Sequence, residues 1–382
     1  MNQNEKLKYD ILMSYLKKLG REKAKMKFIH MADMHFDQPF SGLGGTGNLG
    51  DMRRLEQRKV FRKMIDYCNQ NKIDFFLIAG DFYDHSYVRK STIEYMNQLF
   101  QEIPNTKIFI APGNHDPYVK GSYYETFAWC ENVHICKSNL EIVEDSKYDI
   151  YMSSFTDFHQ EESAVEKIQI KHPEKINILL THCDLNGARD ENGFSYQPVS
   201  ESKINALGFD YVAMGHIHKT NFEQQKNLIY PGSPISFGFD EPGEHGMIAG
   251  EFNGRDLKTE FVRLDDRKFE KYDLPVDDIF SKEELIEKIS NLQLDEKNLY
   301  EIVLQGNRQF EIRVREILPL IEAKNILKIK DKTQIGIDIE QVAKENNLRG
   351  IFVREIIQKY QEGTYTEQQI KKAIEIGLEI ML

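Results

Sequence analysis

Residues 75–84 are Phe75-Phe76-Leu77-Ile78-Ala79-Gly80-Asp81-Phe82-Tyr83-Asp84, an apolar run that ends at a glycine followed by an acid. An apolar run of this length between polar segments is typical of a central parallel strand that is covered on both faces. Asp81 then lies at the carboxyl end of the strand, where open α/β sheets place their ligands, and Gly80 lets the backbone turn sharply. The stretch therefore predicts a parallel sheet with a metal-binding carboxylate at its edge.

The same pattern, an apolar strand followed at once by side chains that can bind metal, occurs four more times. The four strands are 28–32 before Asp33 and His35, 107–111 before Asn114 and His115, 176–181 before His182, and 211–214 before His216 and His218. One such pair alone is more often part of a polar loop in which the histidine only finds hydrogen bonds. Five clusters in one context predict that the strand ends meet at one edge of one sheet and hold metal there.

Composition bounds the class of protein. The chain has 382 residues, 40% of them hydrophobic, which suits a soluble globular protein with one large domain and a smaller one. No apolar run reaches the roughly 18 residues that a membrane span needs, and the charged N-terminus is unlike a secretion signal, so we expect a cytoplasmic location. The four cysteines show no Cys-x-x-Cys spacing and are expected to be reduced.

The net charge of −11 argues against a protein that coats nucleic acid by bulk electrostatics. Residues 53–63 nevertheless carry six basic side chains and one acid, on a helix. This segment is either a solvated helix face or a surface that steers phosphates. The helix is expected to bury one stripe, made of Leu55, Phe61, Met64, Ile65 and Cys68.

Strands and helices alternate through the first half of the chain, and this predicts a parallel βαβ core. A capping box, Ser91 to Glu94, is expected to open one of these helices. Short strands after His218, with a hairpin turn at Asn253-Gly254, are expected to form the second sheet of a two-sheet α/β sandwich. Loops at 41–50 and 182–200 leave the predicted site, where they could cover or shape it.

The chain divides into four predicted segments. Residues 1–25 hold an amphipathic helix that could be an interaction helix, a docked extension or a product of start-site choice, and 26–265 form the catalytic domain. A smaller α/β domain at 266–337 has a helix capped at Ser281, strands at 299–304 and 326–329, and a helix at 310–321. The segment 338–382 is helical, and its apolar stripes either pack internally or bind a partner.

The predicted cluster fits one kind of chemistry. Hydrolysis of a phosphoester requires neutralising an anion, producing hydroxide near neutral pH and stabilising the leaving oxygen, and two metals about 3.5 to 4 Å apart can do all three. Mixed Asp, His and Asn ligands suit Mn²⁺, with Fe²⁺ or Zn²⁺ as alternatives. Two aspartates against two divalent ions leave the site net positive, which favours an anionic substrate.

Five motifs of this sequence, taken in order, resemble those of the calcineurin-type metallophosphoesterases. They are Asp33-x-His35, Gly80-Asp81-x-x-Asp84, Gly113-Asn114-His115-Asp116, the strand-end His182 and Gly215-His216-x-His218. Segments 28–37 and 230–234 are similar to the SbcD and YhaO branch of DNA repair exonucleases. The resemblance covers about residues 26–265. Asp84 departs from it, because some members of the wider nuclease family carry histidine there.

The resemblance implies a role for each matching residue. Asp33, His35 and His218 would hold one metal, Asn114, His182 and His216 the other, and Asp81 would bridge them. His115 would protonate the leaving oxygen or steady the transition state. It also implies a two-sheet metallophosphoesterase core with a cap domain, a possible homodimer, and an SbcC-like or YhaN-like coiled-coil ATPase as partner.

The leading functional hypothesis is a metal-dependent DNA exonuclease or endonuclease that acts in DNA repair. One alternative keeps the chemistry but changes the substrate to a nucleotide or a phosphoprotein. Another is a DNA-end-binding scaffold with little turnover, against which the complete set of predicted ligands argues.

Overall fold

The computed structural model describes residues 25–40, 48–187, 193–225, 227–308, 310–335, 339–363 and 365–381. The predicted N-terminal helix, most of the loop at 41–50 and part of the loop at 182–200 lie outside these ranges. The chain forms two compact units: the first comprises residues up to Phe237 together with Glu244–Asp266, and the second comprises Gly238–Gly243 and the chain from Arg267 onward. No helix in the described ranges has the length and apolarity that crossing a bilayer requires.

The first unit alternates strands and helices along most of its length. Its elements are β1 (Lys25–Met31), α1 (Leu49–Asn71), β2 (Phe75–Ile78), α2 (Lys90–Gln101), β3 (Lys107–Ile110), α3 (Tyr123–Thr126), β4 (Val133–Ile135), β5 (Glu141–Glu144), β6 (Tyr148–Ser153), a 3₁₀ turn (Val165–Lys167), β7 (Ile176–His182), α4 (Glu201–Leu207), β8 (Tyr211–Gly215), β9 (Leu228–Ile229), β10 (Gly246–Asn253) and β11 (Asp256–Arg263).

These strands form two sheets. One has six strands in the order β11-β10-β1-β2-β3-β4, and the other has five in the order β5-β6-β7-β8-β9. The predicted two-sheet α/β sandwich is confirmed, but two details of the prediction are wrong. The five strand ends belong to two sheets, three to the first and two to the second. The hairpin β10–β11 joins the first sheet beside β1, with Asn253 paired to Asp256 at its turn, because local sequence specifies a hairpin but not its neighbour.

The first unit has four layers. Phe28, Leu77 and Phe109 of the first sheet meet Ile178 and Leu180 of the second in a core between the sheets. Alternate residues of the same strands point the other way. They pack on α1 and α2 beneath the first sheet, and on α4 and the 3₁₀ turn beneath the second. Since side chains alternate across a strand, sheets covered on both faces need the continuous apolar runs that the sequence shows.

Helix α1 buries a different stripe from the predicted one. Phe61, Met64, Ile65 and Cys68 are buried as expected, but Leu55 is 59% exposed. The buried positions one and two turns before Phe61 belong to Gln57 and Arg53, respectively. The prediction failed at Leu55 because the helix buries polar side chains that have partners inside: Arg53 pairs with Asp265 at 2.9 Å, and the Gln57 amide donates to the carbonyl of Met34 at 2.7 Å.

Helix α2 begins at Lys90, one residue before the predicted capping box, and its start has no capping side chain of its own. Asp37 takes that role from another part of the chain. Its carboxylate accepts the backbone N–H of Arg89 at 3.0 Å and the hydroxyl of Thr92 at 2.5 Å, and it also pairs with Arg58 at 3.2 Å. The loop after β1 is thereby attached to the start of α2 and to the middle of α1.

The second unit has a parallel sheet of its own. Its elements are β12 (Phe269–Pro275), α5 (Lys282–Ser290), β13 (Leu299–Gln305), β14 (Asn307–Arg308), α6 (Val314–Ile317) continued by a 3₁₀ turn (Leu318–Leu320), β15 (Ile326–Asp331), β16 (Gln334–Ile335), α7 (Ile339–Ala343), α8 (Leu348–Gln361) and α9 (Glu367–Ile380). Strands β12, β13 and β15 pair in parallel in that order. Ser281 caps α5 as expected, whereas the helix expected at 310–321 is shorter.

The apolar stripes of the last helices pack largely against one another. Ile374 and Leu378 of α9 are buried with Val353 of α8 and Val342 of α7. Gly377 brings α9 so close to the ring of Phe352 that any β-carbon there would clash with it. Internal packing therefore accounts for the centre of these stripes. Leu348 and Ile380 at the margins are 70% and 80% exposed.

Candidate metal centre

Five strand ends of the two sheets bring their polar side chains to one place. Asp33 and His35 follow β1, Asp81 follows β2, and Asn114 and His115 follow β3. His182 ends β7, and His216 and His218 follow β8. The carboxyl ends of parallel strands share one edge of a sheet, and the two sheets here present those edges to each other. All eight residues selected from the sequence lie in this cluster.

Asp81 lies between two groups of possible ligands. Its Oδ2 is 3.5 Å from Nε2 of His35 on one side and 3.3 Å from Nε2 of His182 on the other. Its Oδ1 accepts the backbone N–H of His115 at 2.9 Å, which fixes the orientation of the carboxylate. One oxygen atom is thus available to both groups, as a bridging ligand must be.

The first group contains Asp33, His35 and His218. One donor atom from each lies within 4.8 Å of the others, and the Nε2 atoms of the two histidines are 3.2 Å apart. Asp33 and His35 are buried. The Asp33 carboxylate also accepts the backbone N–H of His216 at 3.0 Å, which ties the end of β1 in one sheet to the end of β8 in the other.

The second group contains Asn114, His182 and His216. Nε2 of His182 is 3.0 Å from Oδ1 of Asn114 and 3.3 Å from Nδ1 of His216. Nδ1 of His182 donates to the carbonyl of Ala79 at 2.9 Å, so Nε2 is the nitrogen that faces the cluster. A backbone partner of this kind is how metal-binding histidines are held in one orientation.

The donor set fits divalent cations. Imidazole nitrogens, carboxylate oxygens and an amide oxygen converge here, and side chains of this kind are buried together when a cation neutralises them. Burial lowers the pKa of His35 well below its usual value, which keeps that ring neutral and able to bind metal. Burial opposes charge on both Asp81 and His182, but their attraction prevails, lowering the pKa of Asp81 and raising the pKa of His182 to about 9.

His115 lies at the solvent side of the cluster, with 47% of its side chain exposed. Burial lowers its pKa, but the charge of Asp81 and the neighbouring Asp84 carboxylate outweigh that and raise the pKa to about 8. Nδ1 of His115 is 3.6 Å from the Asp84 carboxylate. A donor atom of His115 also lies within 4.8 Å of His35 and Asp81, so the geometry permits either a proton donor or a ligand here.

The backbone at the strand ends adopts conformations that are rare for these residue types. Asp33, His35, Asp81 and His216 have φ values of 55°, 47°, 50° and 104°. Positive φ in a non-glycine residue costs free energy, and such residues concentrate at functional sites. At Gly80 and Gly215, a β-carbon would collide with the His182 ring and the Ala79 carbonyl respectively, so the sequence needs glycine at both positions.

Two further carboxylates support the cluster and were given no role from the sequence. Asp116 is buried and accepts the backbone N–H groups of Asp81, Phe82 and Gly113 at 3.0, 2.7 and 2.7 Å, which fastens the ends of β2 and β3 together. Asp184 lies 3.2 Å from Nε2 of His216. Both acids adjoin predicted ligands in the sequence, but only the fold shows which groups they face.

Gly232 and Ser233 contact the backbone beside the cluster. The N–H of Ser233 donates to the carbonyl of His218 at 3.0 Å, and a β-carbon on Gly232 would meet the same carbonyl at 2.7 Å. Their contact with the candidate centre is therefore indirect, through the main chain that carries His218.

Comparison with known proteins agrees with the site. Residues 26–220 match the family model described as calcineurin-like phosphoesterase. The chain is 27% identical over 259 residues to a protein named uncharacterized metallophosphoesterase YhaO from Bacillus subtilis (strain 168), covering 64% of this chain and 62% of that protein. It is 25% identical over 252 residues to the SbcD subunit of the nuclease SbcCD from Staphylococcus epidermidis, covering 56% of this chain and 63% of that protein.

The matched regions span less than two thirds of either relative. A solved structure, TT1561 of Thermus thermophilus, aligns with 63% of this chain and 100% of its own at a TM-score of 0.33 and 11% identity, a likeness too weak to support any argument. The family model covers just over half of the chain and includes every side chain of the candidate centre. The chain belongs to the calcineurin-like phosphoesterase family.

Proposed function

We propose that this chain is a two-metal phosphodiesterase that cuts DNA. The observation that carries the proposal is the position of Asp81, whose Oδ2 is shared between the His35 and His182 groups. Two adjacent cations bridged by a carboxylate neutralise a phosphodiester, lower the pKa of a water molecule and stabilise the leaving oxygen. Asp33, His35 and His218 would hold one ion, Asn114, His182 and His216 would hold the other, and Asp81 would serve both.

The mixed nitrogen and oxygen donors favour Mn²⁺, with Fe²⁺ and Zn²⁺ as alternatives. An all-oxygen set would be expected for Mg²⁺, and four of the seven proposed ligands are histidines.

The protein's own groups orient the substrate and move a proton. His115 stands at the solvent side of the cluster, and its imidazolium donates a proton to the leaving oxygen. The Asp84 carboxylate lies 3.6 Å from Nδ1 of His115 and attracts the charge of the ring on that side, which leaves Nε2 as the nitrogen for the substrate. Because the backbone N–H of His115 is fixed on Asp81, the proton donor keeps a constant position relative to the bridging carboxylate.

Similarity to the SbcD subunit of a nuclease supports DNA as the substrate. Helix α1 gives less support than its composition suggested, because five of its six basic side chains at 53–63 are paired with acids. Paired cations contribute little attraction for a phosphate backbone. A nucleotide or phosphoprotein substrate is therefore the second candidate, and a DNA-end-binding scaffold with little turnover is the third.

The same proposal assigns a role to each segment of the chain. Residues 26–265 catalyse, 266–337 form the cap domain, and 338–382 bind a coiled-coil ATPase of the SbcC or YhaN kind. Leu348 and Ile351 on α8 are 70% and 51% exposed and provide apolar contact area. If they bind the ATPase, the Leu348→Asp, Ile351→Asp double variant loses co-purification with it, whereas unchanged co-purification excludes this surface.

One assay tests the substrate assignment. The purified chain and Mn²⁺ are incubated with each of four substrates: labelled single-stranded DNA, labelled double-stranded DNA, a nucleotide monoester and bis(p-nitrophenyl) phosphate. The proposal predicts cleavage of DNA with a kcat/KM well above that for the small diester. Hydrolysis of the monoester alone would select the second candidate, and binding of DNA without turnover of any substrate would select the third.

A further inference from the structure

A row of aromatic rings leads away from the candidate metal centre. Tyr196 lies with its ring centroid 5.1 Å from that of His216, and His159 lies 6.4 Å beyond Tyr196. Phe194 then stacks on His159 at 4.9 Å with an angle of 27° between the rings. We call Tyr196, His159 and Phe194 the aromatic row.

A further ring lies near the loop that carries His115. Phe158 packs edge-on against His85 at 5.3 Å, and the backbone N–H of His85 donates to the carbonyl of His115 at 2.9 Å. Aromatic rings therefore lie next to His216, at Tyr196, and near the loop of His115, at Phe158.

Hydrogen bonds hold the two loops that carry these rings. The N–H of Gln197 donates to the carbonyl of Gln160 at 2.8 Å, which joins the loop after β7 to the loop after β6. The N–H of Asp184 donates to the carbonyl of Tyr196 at 2.9 Å, and the N–H of Tyr196 donates to the Asp184 carboxylate at 3.0 Å. The buried side chain of Gln197 accepts the Ser153 hydroxyl at 2.9 Å. The rings are therefore held in place before any ligand arrives, which reduces the entropy lost on binding.

The outer rings remain in contact with water although an apolar interior lies close by. Phe158 and Phe194 are each 38% exposed and His159 is exposed, whereas Phe155, three residues before Phe158, is fully buried. Aromatic side chains that only complete a core are buried as Phe155 is. Several half-exposed rings in sequence beside a polar site are typical of a surface that binds planar ligands.

We propose that the aromatic row, together with Phe158, stacks the unpaired bases of a nucleic-acid strand whose phosphodiester lies at the candidate metal centre. This inference rests on the proposed nuclease function and specifies a single-stranded or locally unpaired substrate. Every base has a π-face, so stacking tolerates any sequence. The rings follow one another at centroid distances of 4.9 to 6.4 Å, so the row extends outward from His216.

Stacking also accounts for binding by an acidic chain. With a net charge of −11 and the basic side chains of α1 largely paired, phosphate contacts alone give weak attraction. Affinity from base stacking does not depend on counterion release, so it survives where electrostatic affinity is small. The salt dependence of binding should accordingly be shallow.

Binding without metal tests the inference apart from turnover. Fluorescence anisotropy with a labelled oligothymidylate in EDTA is measured for the wild type, for the Phe158→Ala, Phe194→Ala double variant and for Phe280→Ala, a control whose side chain is 58% exposed in the second unit. Each stacked base is worth roughly 5- to 150-fold in affinity, so the double variant should bind at least about 5-fold more weakly than the wild type. The control should bind as the wild type does. Equal affinity of the double variant and the wild type overturns the inference.

An abasic oligonucleotide of the same length gives a test that needs no variant. It keeps the phosphates and lacks the bases, so the wild type should bind it about as weakly as the double variant binds oligothymidylate. The affinity of the double variant should be only slightly lower for the abasic oligonucleotide than for oligothymidylate. A wild type that binds both oligonucleotides equally overturns the inference alone, whereas a wild type that neither binds nor cleaves any oligonucleotide overturns the proposed nuclease function as well.

Discussion

The two units both contain parallel strands, yet their strand ends differ in what they present. In the first unit, the carboxylates of Asp33 and Asp81 face histidines from other strands. In the second, the carboxylates near the strand ends accept hydrogen bonds from other strand-end residues. Asp331 accepts the N–H and hydroxyl of Thr333 at 2.8 and 2.6 Å, and Asp277 accepts the N–H of Asn307 at 3.0 Å. A parallel sheet therefore offers a place for a site, and the residues at its edge decide whether one is formed.

Backbone conformation separates the units in the same way. Positive φ occurs at four non-glycine residues of the candidate centre, and among the described residues of the second unit only glycines have it. Backbone of this kind is retained where surrounding contacts enforce it, and here Asp116 and Asp33 supply such contacts through the main chain. The first unit tolerates an unfavourable local geometry in exchange for the convergence of its ligands.

The largest expected effect is at Asp81. Asp81→Asn weakens the shared ligand of both proposed ions, so turnover of a small diester should fall by roughly 10³-fold or more while the fold persists. The matched control is Asp331→Asn, which changes the same group at a strand end of the second unit and should leave turnover unaltered. Equal losses in both variants would remove the contrast between the units.

A second prediction concerns the proton donor. His115→Ala should keep both metals and lower kcat by about 10² to 10⁴-fold, the usual contribution of a positioned acid, with a smaller change in KM. His134, which is 40% exposed and 2.7 Å from Glu141, is a matched histidine-carboxylate pair away from the centre, and His134→Ala should leave kcat unchanged. Loss of a metal ion from His115→Ala would instead identify His115 as a ligand.

The third prediction tests the support of a proposed ligand. Asp184 orients His216, so Asp184→Asn should weaken Mn²⁺ binding by about 10- to 100-fold, as measured by calorimetric titration. Asp149 forms a similar pair with His172 at 2.6 Å, and Asp149→Asn should affect stability without affecting metal affinity. Unaltered Mn²⁺ affinity in Asp184→Asn would show that His216 is held by its other contacts or is not a ligand.

The smallest effect is expected at His30, a core histidine that lies apart from the histidines of the candidate centre. His30 is buried between Tyr211 and the carbonyl of Met214, and burial lowers its pKa to about 3. Below the unfolded pKa of about 6.5, the unfolded chain binds a proton that the folded chain excludes, so stability falls as the pH is lowered. Through this residue, the free energy of unfolding should be about 1.4 kcal/mol lower at pH 5.5 than at pH 7.5.

Denaturant unfolding of the wild type and of His30→Gln at the two pH values isolates the contribution of His30 to the free energy of unfolding, because the other titrating groups are common to both. The difference between the wild type and the variant should shift by about that amount in favour of the variant at pH 5.5. A difference that does not change with pH would show that His30 binds its proton equally in the folded and unfolded chains, so that burial does not lower its pKa.

Much of the candidate site could be predicted from the sequence because its signal is local. An apolar run that stops at Asp81 or at His182 indicates both a strand and what lies at its end. The partition of the strands into two sheets could not be predicted, since strand pairing depends on contacts that no local pattern encodes. The cap that Asp37 provides for α2 and the hydrogen bonds of Asp116 were missed for the same reason: both join segments far apart in the sequence.

The exposure of Leu55 shows a different limit. Apolar periodicity assigned it to the buried stripe, but the fold buries Arg53 and Gln57 instead, each with polar partners. A buried charge that is paired and hydrogen-bonded is compatible with a helix interface, and periodicity alone does not detect it.

The central claim is that the strand ends of the first unit hold two cations that share Asp81. Metal-free protein is loaded with Mn²⁺, freed of excess, and its metal content is measured by elemental mass spectrometry for the wild type, Asp81→Asn and Asp331→Asn. The account predicts two ions per chain in the wild type and in Asp331→Asn, and fewer than two in Asp81→Asn. One ion or none in the wild type, or two in Asp81→Asn held with unchanged affinity, would contradict it.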